Sequence, residues 1–276
     1  MSDVLFEVRE PGIAWITLNR PDSLNAMGGE LMPLLAKHLR EVATDDSVRC
    51  VVLTGAGRAF CAGGDVKAMA SGNIDSVVGG NGTPKSMAGM IASRVQGLRQ
   101  AERDTSHALH YLPKPTIAAV NGHAVGAGLS LALACDIRIA SENAKMGTVF
   151  RNVGFSGDFG SSWFLPRLVG TEMARRLFFT GEILDAHRAK SIGMVSEVVA
   201  HEDLESATMN LATTIATGPA LAYARMKENL NASWNVDLGE LLDQEALNMI
   251  LSATSQDHQE AARAFVEKRQ PTFTGQ

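Results

Sequence analysis

One carboxylate, Asp158, stands in the stretch VGFSGDFGSSWFLPRL, residues 153–168, among glycines, serines and aromatic rings. In that setting a carboxylate can serve two kinds of purpose. It can cap the helix that starts near Gly160, because an aspartate at an N-cap accepts hydrogen bonds from unpaired N–H groups. It can also carry a proton, its pKa raised by apolar neighbours such as Phe155, Phe159 or Trp163. Residue type alone favours the cap.

Two further segments share a form. AFCAGGD (59–65) follows the run CVVLTG, and NGHAVGAGLS (121–130) follows TIAAV. Each is a glycine-rich turn behind a buried type of strand, leading into a helix. Such turns can expose backbone N–H groups, and a helix N-terminus adds its positive end. Two N–H groups aimed at one spot form an oxyanion hole, in which one donor is worth roughly 3–4 kcal/mol. The same glycines would equally serve tight turns and close packing, and spacing does not choose between these uses.

Other chemistries fall away. No phosphate-binding glycine loop closing on Gly-Lys-Ser or Gly-Lys-Thr occurs, and TGAGRAF and VGAGLSL lack the third glycine of a dinucleotide fingerprint. GFSGD departs from a nucleophile elbow at its last position, Asp158. The seven histidines show no metal spacing. His107 and His110 read as partly exposed helix residues, and His123 as a loop or packing residue. The net charge of −5, without a basic run, argues against a nucleic-acid partner. AGLSLALACDIRIA is too short and interrupted to span a membrane. Three unevenly spaced cysteines and an N-terminus without an apolar signal core predict reduced thiols and a cytoplasmic setting.

The elements that would position these residues can be read from periodicity. VLFEV and GIAWITLN predict strands around the Pro11-Gly12 turn. Asp22, Ser23 and Asn25 are candidate caps for a helix over residues 29–42, with Leu31, Leu34, Leu35 and Leu39 on one face. VRCVVLTG, TIAAVNG and DIRIA predict buried strands. Residues 71–84 predict a mobile glycine-rich loop, flanked by Met69, Met87 and Met90, and a helix follows over 85–112. AVGAGLSLALAC predicts a buried helix, WFLPRLV a short one, and three or four helices follow residue 200. The chain reads as an α/β core over 1–200 and a helical region over 201–276, in one domain unit.

Taken in order, NRPDSLNAM, GRAFCAGGD, KPTIAAVNGHAVGAGLSLALACDIRIAS, FLPRLVG, LFFTGEILDAHRAKSIGMVSEVV and AFVEKRQPTF resemble the crotonase family of enoyl-CoA hydratases and isomerases. The resemblance implies a crotonase (ClpP-like) spiral of β-β-α units with a helical C-terminal oligomerisation region, assembled as a homotrimer or a dimer of trimers. It implies an acyl-CoA thioester substrate and no cofactor or metal beyond the coenzyme A of that substrate. Carried over by motif, the oxyanion-hole donors are the N–H groups of Gly64 and Ala127. Ser23, Leu24, Ala26, Ala62, Asp65 and Val66 would border the CoA moiety. The two glutamates of typical hydratases are absent: Ser130 and Phe150 occupy their places, lining the pocket, with Ser130 able to donate a hydrogen bond there.

The stretch GDFGSSWFLPRL further resembles the isomerases of the phenylacetate-degradation type, which aligns Asp158 with their catalytic aspartate. Gly157 stands where those enzymes carry proline, and Phe159 and Ser161 replace smaller neighbours. This resemblance reverses the reading of Asp158 towards a proton shuttle in double-bond isomerisation. A hydrolase or dehalogenase with Asp158 as nucleophile, a residual hydratase and a non-catalytic acyl-CoA binder are the alternatives. Asp136 and Arg167 read as structural, and Lys268 and Arg269 as a solvated helix end that could reach a CoA phosphate.

Overall fold

The computed structural model describes residues 2–65 and 86–276. Val66, Met69 and the glycine-rich stretch 71–84 lie outside the described residues.

The larger sheet has six strands. β1 (Val4–Arg9) pairs antiparallel with β2 (Ile13–Leu18) through the Pro11-Gly12 turn, closed by the Gly12 N–H on Arg9 O at 2.9 Å. β2 then runs parallel to β3 (Cys50–Gly55), followed across the sheet by β5 (Thr116–Val120), β7 (Ile137–Ser141) and β10 (Glu197–Val199). Parallel strands are covered on both faces, which explains why β3 and β5 read as unbroken apolar runs.

A second sheet is made of very short strands: β4 (Ala59–Cys61), β6 (His123–Val125), β8 (Lys145–Gly147) and β9 (Leu184–Asp185). From β3 to the helix after Asp158, each passage of the chain gives one strand to the large sheet, one to the small sheet, and then a helix. β5, β6 and a buried helix form one such unit; β7, β8 and the helix after Asp158 form the next. This is the expected β-β-α spiral. His123 thus sits on a strand edge rather than in a loop, and GRAFCAGGD contains β4 rather than being all turn.

Helix α1 (Leu31–Thr44) buries Leu31, Leu35, Leu39 and Val42, as its period predicts. It has no side-chain cap: Glu30 precedes it, Asp22 and Ser23 lie in a separate short helical turn (Pro21–Ser23), and Asn25 bonds to Ala56 and Ala59. A helical run follows from α2 (Met87–Glu102) through a wide π turn (Arg103–His107) into α3 (Ala108–Tyr111). In the π turn, Thr105 and Ser106 hydroxyls bond back to the carbonyls of Ala101 and Glu102.

Helices α4 (Ala127–Ala134), α5 (Ser161–Val169), α6 (Thr171–Thr180) and α7 (Ala186–Ser191) complete the spiral. Then come α8 (Leu204–Ala216), α9 (Ala220–Ala232), α10 (Leu238–Ala253) and α11 (Gln256–Glu267). α8 belongs with the sheet: Leu204, Ala212 and Ala216 pack with Ile13, Val52 and Ile117 on one face. α9 is pinned by Lys227, whose Nζ donates to Asp136 at 2.7 Å and to the carbonyls of Leu109 and Lys114 at 3.2 Å. Asp136 in turn accepts from the N–H and hydroxyl of Thr116, giving it the structural place its position predicted.

Candidate active site

The site begins where β4 meets the start of α4. A Cβ on Gly128 would lie 2.1 Å from the Cys61 carbonyl oxygen, so only glycine lets the α4 backbone rest on the strand. The next turn along is also close-packed: a Cβ on Gly63 would sit 2.8 Å from the Val125 carbonyl oxygen and 3.3 Å from the Ala127 nitrogen. Ala127 is the first residue of α4, all of whose residues are buried. Neither the Gly64 nor the Ala127 N–H meets an acceptor among the described residues. Two unpaired donors beside a buried helix N-terminus can hold negative charge developing on an oxygen.

The 20s loop is laced to this turn. Ala62 N–H donates to Leu24 O at 3.0 Å and Met27 N–H to Gly63 O at 2.7 Å. The Asn25 side chain is fully buried; its amide donates to Ala56 O and Ala59 O, and its oxygen accepts from Arg20 N–H. Asn25 is therefore the clasp between loop and strand rather than a helix cap. Ser23, Leu24, Ala62 and Asp65 lie part-exposed along this seam and Ala26 is buried in it. Arg20 reaches the Ala26 carbonyl at 2.6 Å.

Asp158 lies on a turn tied to α4 through the Ser130 hydroxyl. Helix α5 has Gly160 as its N-cap and no side-chain cap. The backbone carbonyl of Asp158, not its carboxylate, accepts from Ser161 N–H at 3.1 Å and Ser161 Oγ at 3.0 Å. The cap reading of the side chain is thus overturned, because Phe159 and Gly160 take left-handed backbone angles that turn the carbonyl to the helix. Asp158 is half-buried, its Oδ1 buried without a hydrogen-bond partner among the described residues. Burial, and secondly the negative charge of Glu102, push its pKa up to about 7.

The surroundings differ in part from expectation. Phe155 faces solvent, while Phe159 is buried. The wall comes instead from Phe150, stacked on Phe178 with ring centroids 6.0 Å apart. The Phe150 ring stands 3.8 Å from where a Cβ of Gly126 would be and 3.7 Å from that of Gly157, so it joins the start of α4 to the Asp158 turn. Gly157 has φ +108°, which proline, locked near −65°, cannot adopt.

Ser130 is fully buried, with its hydroxyl 3.3 Å from Gly126 O and 3.1 Å from Asp158 O. Its one hydroxyl proton is directed at these two backbone carbonyls rather than at open space. Glu102, which no motif pointed to, accepts the Phe159 N–H at 2.9 Å.

The remaining polar candidates are structural. Arg167 stacks over Trp163 at 3.7 Å and donates to its carbonyl, and Arg269 is held by Glu260 and Glu267 rather than free for a phosphate. Cys50, Cys61 and Cys135 are buried free thiols, with pKa values raised by burial to about 12. Among the described residues no group of His, Cys, Asp and Glu could hold a metal ion, and no helix is long and apolar enough to cross a membrane.

The model of the enoyl-CoA hydratase/isomerase family matches residues 8–276. The chain belongs to that family. It is 38% identical to the 1,2-epoxyphenylacetyl-CoA isomerase of Escherichia coli K12 over 275 residues, covering 100% of both chains. It is also 33% identical to the short-chain-enoyl-CoA hydratase of Clostridium acetobutylicum, over 98% of this chain and 96% of that one. The enoyl-CoA hydratase structure from Bacillus anthracis superposes with a TM-score of 0.87 at 32% identity, covering 100% of each chain. The crotonase fold and an enzyme of this family follow, with relatives carrying both hydratase and isomerase names.

Proposed function

We propose that the protein is an acyl-CoA double-bond isomerase in which Asp158 carries the proton. The observation that bears most weight is the Asp158 carboxyl itself: half-buried, with Oδ1 buried and unpartnered among the described residues and its pKa pushed up to about 7, on a turn that Ser130 ties to the start of α4. The places where the resemblance puts the hydratase glutamates hold a serine bonded to backbone and a phenylalanine wall, and neither can act as a base.

In this reading the thioester oxygen sits between the N–H groups of Gly64 and Ala127, and Ser23, Leu24, Ala26, Ala62 and Asp65 border the CoA. Asp158 takes a proton from the α or γ carbon. The electron pair moves onto the thioester oxygen as an enolate, stabilised by the two dipoles. The carboxylic acid then returns the proton to another carbon of the conjugated system. The net change is a moved double bond, with no atom gained or lost and no cofactor besides the substrate's own coenzyme A. A proton carrier works best with a pKa near the working pH, and burial tunes Asp158 in that direction.

The same reading includes a homotrimer or dimer of trimers. α10 leaves Leu238, Leu242, Leu247, Met249 and Ile250 exposed, an apolar surface of the kind a partner subunit covers. Light scattering in solution measures the assembly, and a monomer at micromolar concentration would contradict it.

The deciding experiment is a panel of 3-enoyl-, 2-enoyl- and aromatic-ring CoA thioesters, assayed with wild type and Asp158→Asn. Isomerisation by the wild type, lost by orders of magnitude in the variant while CoA-ester binding survives, is the expected result. Hydration of 2-enoyl-CoA without isomerisation of any member would overturn the proposal.

A further inference from the structure

Asp158 and Phe159 form a turn that ordinary backbone preference does not hold. Phe159 has φ +48°, a left-handed conformation costly for a bulky residue, and its side chain is buried. Such a conformation persists where surrounding contacts over-determine it. Three contacts do so here. Ser130 and Ser161 hydroxyls take the carbonyl of Asp158, and Glu102 takes the N–H of Phe159. The last comes from 57 residues away, at the end of α2, where the π turn begins.

We infer that Glu102 is a positioning residue for Asp158: it clamps the Asp158–Phe159 turn through the Phe159 N–H and sets a second carboxylate beside the first. The inference rests on the reading of Asp158 as proton carrier.

α4 brings Ser130 and no titratable group. On α5, Arg167 is stacked over Trp163. Beyond Phe150, Arg151 donates to Thr180 O, and on α6 Arg176 pairs with Glu182 while Arg175 is exposed. Glu102 itself lines a cleft of about 300 Å³ with Arg99, Arg103, His107, His110 and Trp163. Of the charges on these elements, that of Glu102 bears on the Asp158 carboxyl, and it acts in the same direction as burial.

The clamp and the charge can be separated. Glu102→Gln keeps an acceptor of the same shape for the Phe159 N–H and removes the charge; Glu102→Ala removes both. In Glu102→Gln the plateau kcat should stay within about twofold of wild type. The acid limb of kcat/KM should move to lower pH by about half a unit or more, because a like charge next to Asp158 has gone. In Glu102→Ala the same displacement should come with a plateau loss of about tenfold, from a loosened carboxylate. Carbon-13 NMR titration of the Asp158 carboxyl in substrate-free protein reads the displacement without turnover, and the isosteric Gln variant carries the test if the Ala variant does not fold. A titration midpoint unchanged in Glu102→Gln would overturn the inference while leaving the Asp158 reading intact, provided Asp158→Asn is inactive. An active Asp158→Asn would overturn the Asp158 reading itself.

Discussion

The hydroxyl of Ser130 lies 3.1 Å from the backbone carbonyl of Asp158 and 3.3 Å from that of Gly126. It brackets the start of α4 to the turn that holds the acid. A side chain too short to be a base at this place thus ties the start of α4 to the backbone of the Asp158 turn. Ser130→Ala removes the bracket but leaves the Ser161 bonds to Asp158. It should destabilise the fold by about 1 kcal/mol and lower kcat severalfold with little change in KM. Denaturant titration and steady-state kinetics on the same preparation check both halves.

Ala127 allows a clean test of the proposed oxyanion donor. It is the first residue of α4, the helix position where proline is best tolerated. Ala127→Pro replaces the N–H by a ring carbon, which removes the donor and fills the place the thioester oxygen would take, while the later turns of the helix keep their bonds. Turnover should fall by about 10²–10³-fold, and circular dichroism should show the helix content retained. A variant with wild-type kcat would remove Ala127 from the mechanism.

The raised pKa of Asp158 has a sign that stability measurements can read. The folded state binds this proton more tightly than the unfolded state, from the ordinary value of 3.8 up to about 7. Between those limits the native protein holds more protons, so this group's contribution to stability falls as pH rises. Above about pH 7 the buried carboxylate is ionised and costs stability in full. Asp158→Asn should therefore raise the melting temperature relative to wild type at pH 8 and have little of that effect at pH 4. Equal shifts at both pH values would show that Asp158 titrates normally.

Lys227 tests the attachment of the C-terminal helices. Its ammonium has three partners from the core: Asp136 and the carbonyls of Leu109 and Lys114. Lys227→Met leaves Asp136 with its Thr116 bonds but without its cationic partner, and should cost about 3 kcal/mol. The Lys227→Met/Asp136→Asn pair should recover part of that loss. Thermal melts of the four proteins in this cycle measure the coupling.

Much of this architecture could be read before any coordinates. The parallel strands showed as apolar runs, because a strand covered on both faces needs no alternation. The two glycine turns showed because backbone cannot rest on backbone with a Cβ in between. Other features left no local trace. β4, β6, β8 and β9 are two or three residues long, shorter than any period can register. Asn25 resembled a helix cap because the same side-chain amide serves either purpose. Phe155 resembled a pocket wall, but it faces solvent. Glu102 could not be found at all, since its bond to Phe159 spans 57 residues and depends on how α2 crosses the spiral.

The contact of Gly128 with the Cys61 carbonyl, main chain against main chain, separates what this scaffold holds constant from what it leaves replaceable. The groups that would receive an anion are amides, set by the course of the chain and indifferent to which side chains surround them. The proton-moving group is a side chain on a neighbouring turn, and one codon can remove it or supply another elsewhere on the wall. A protein built this way can trade one reaction for another without rebuilding the place where charge accumulates.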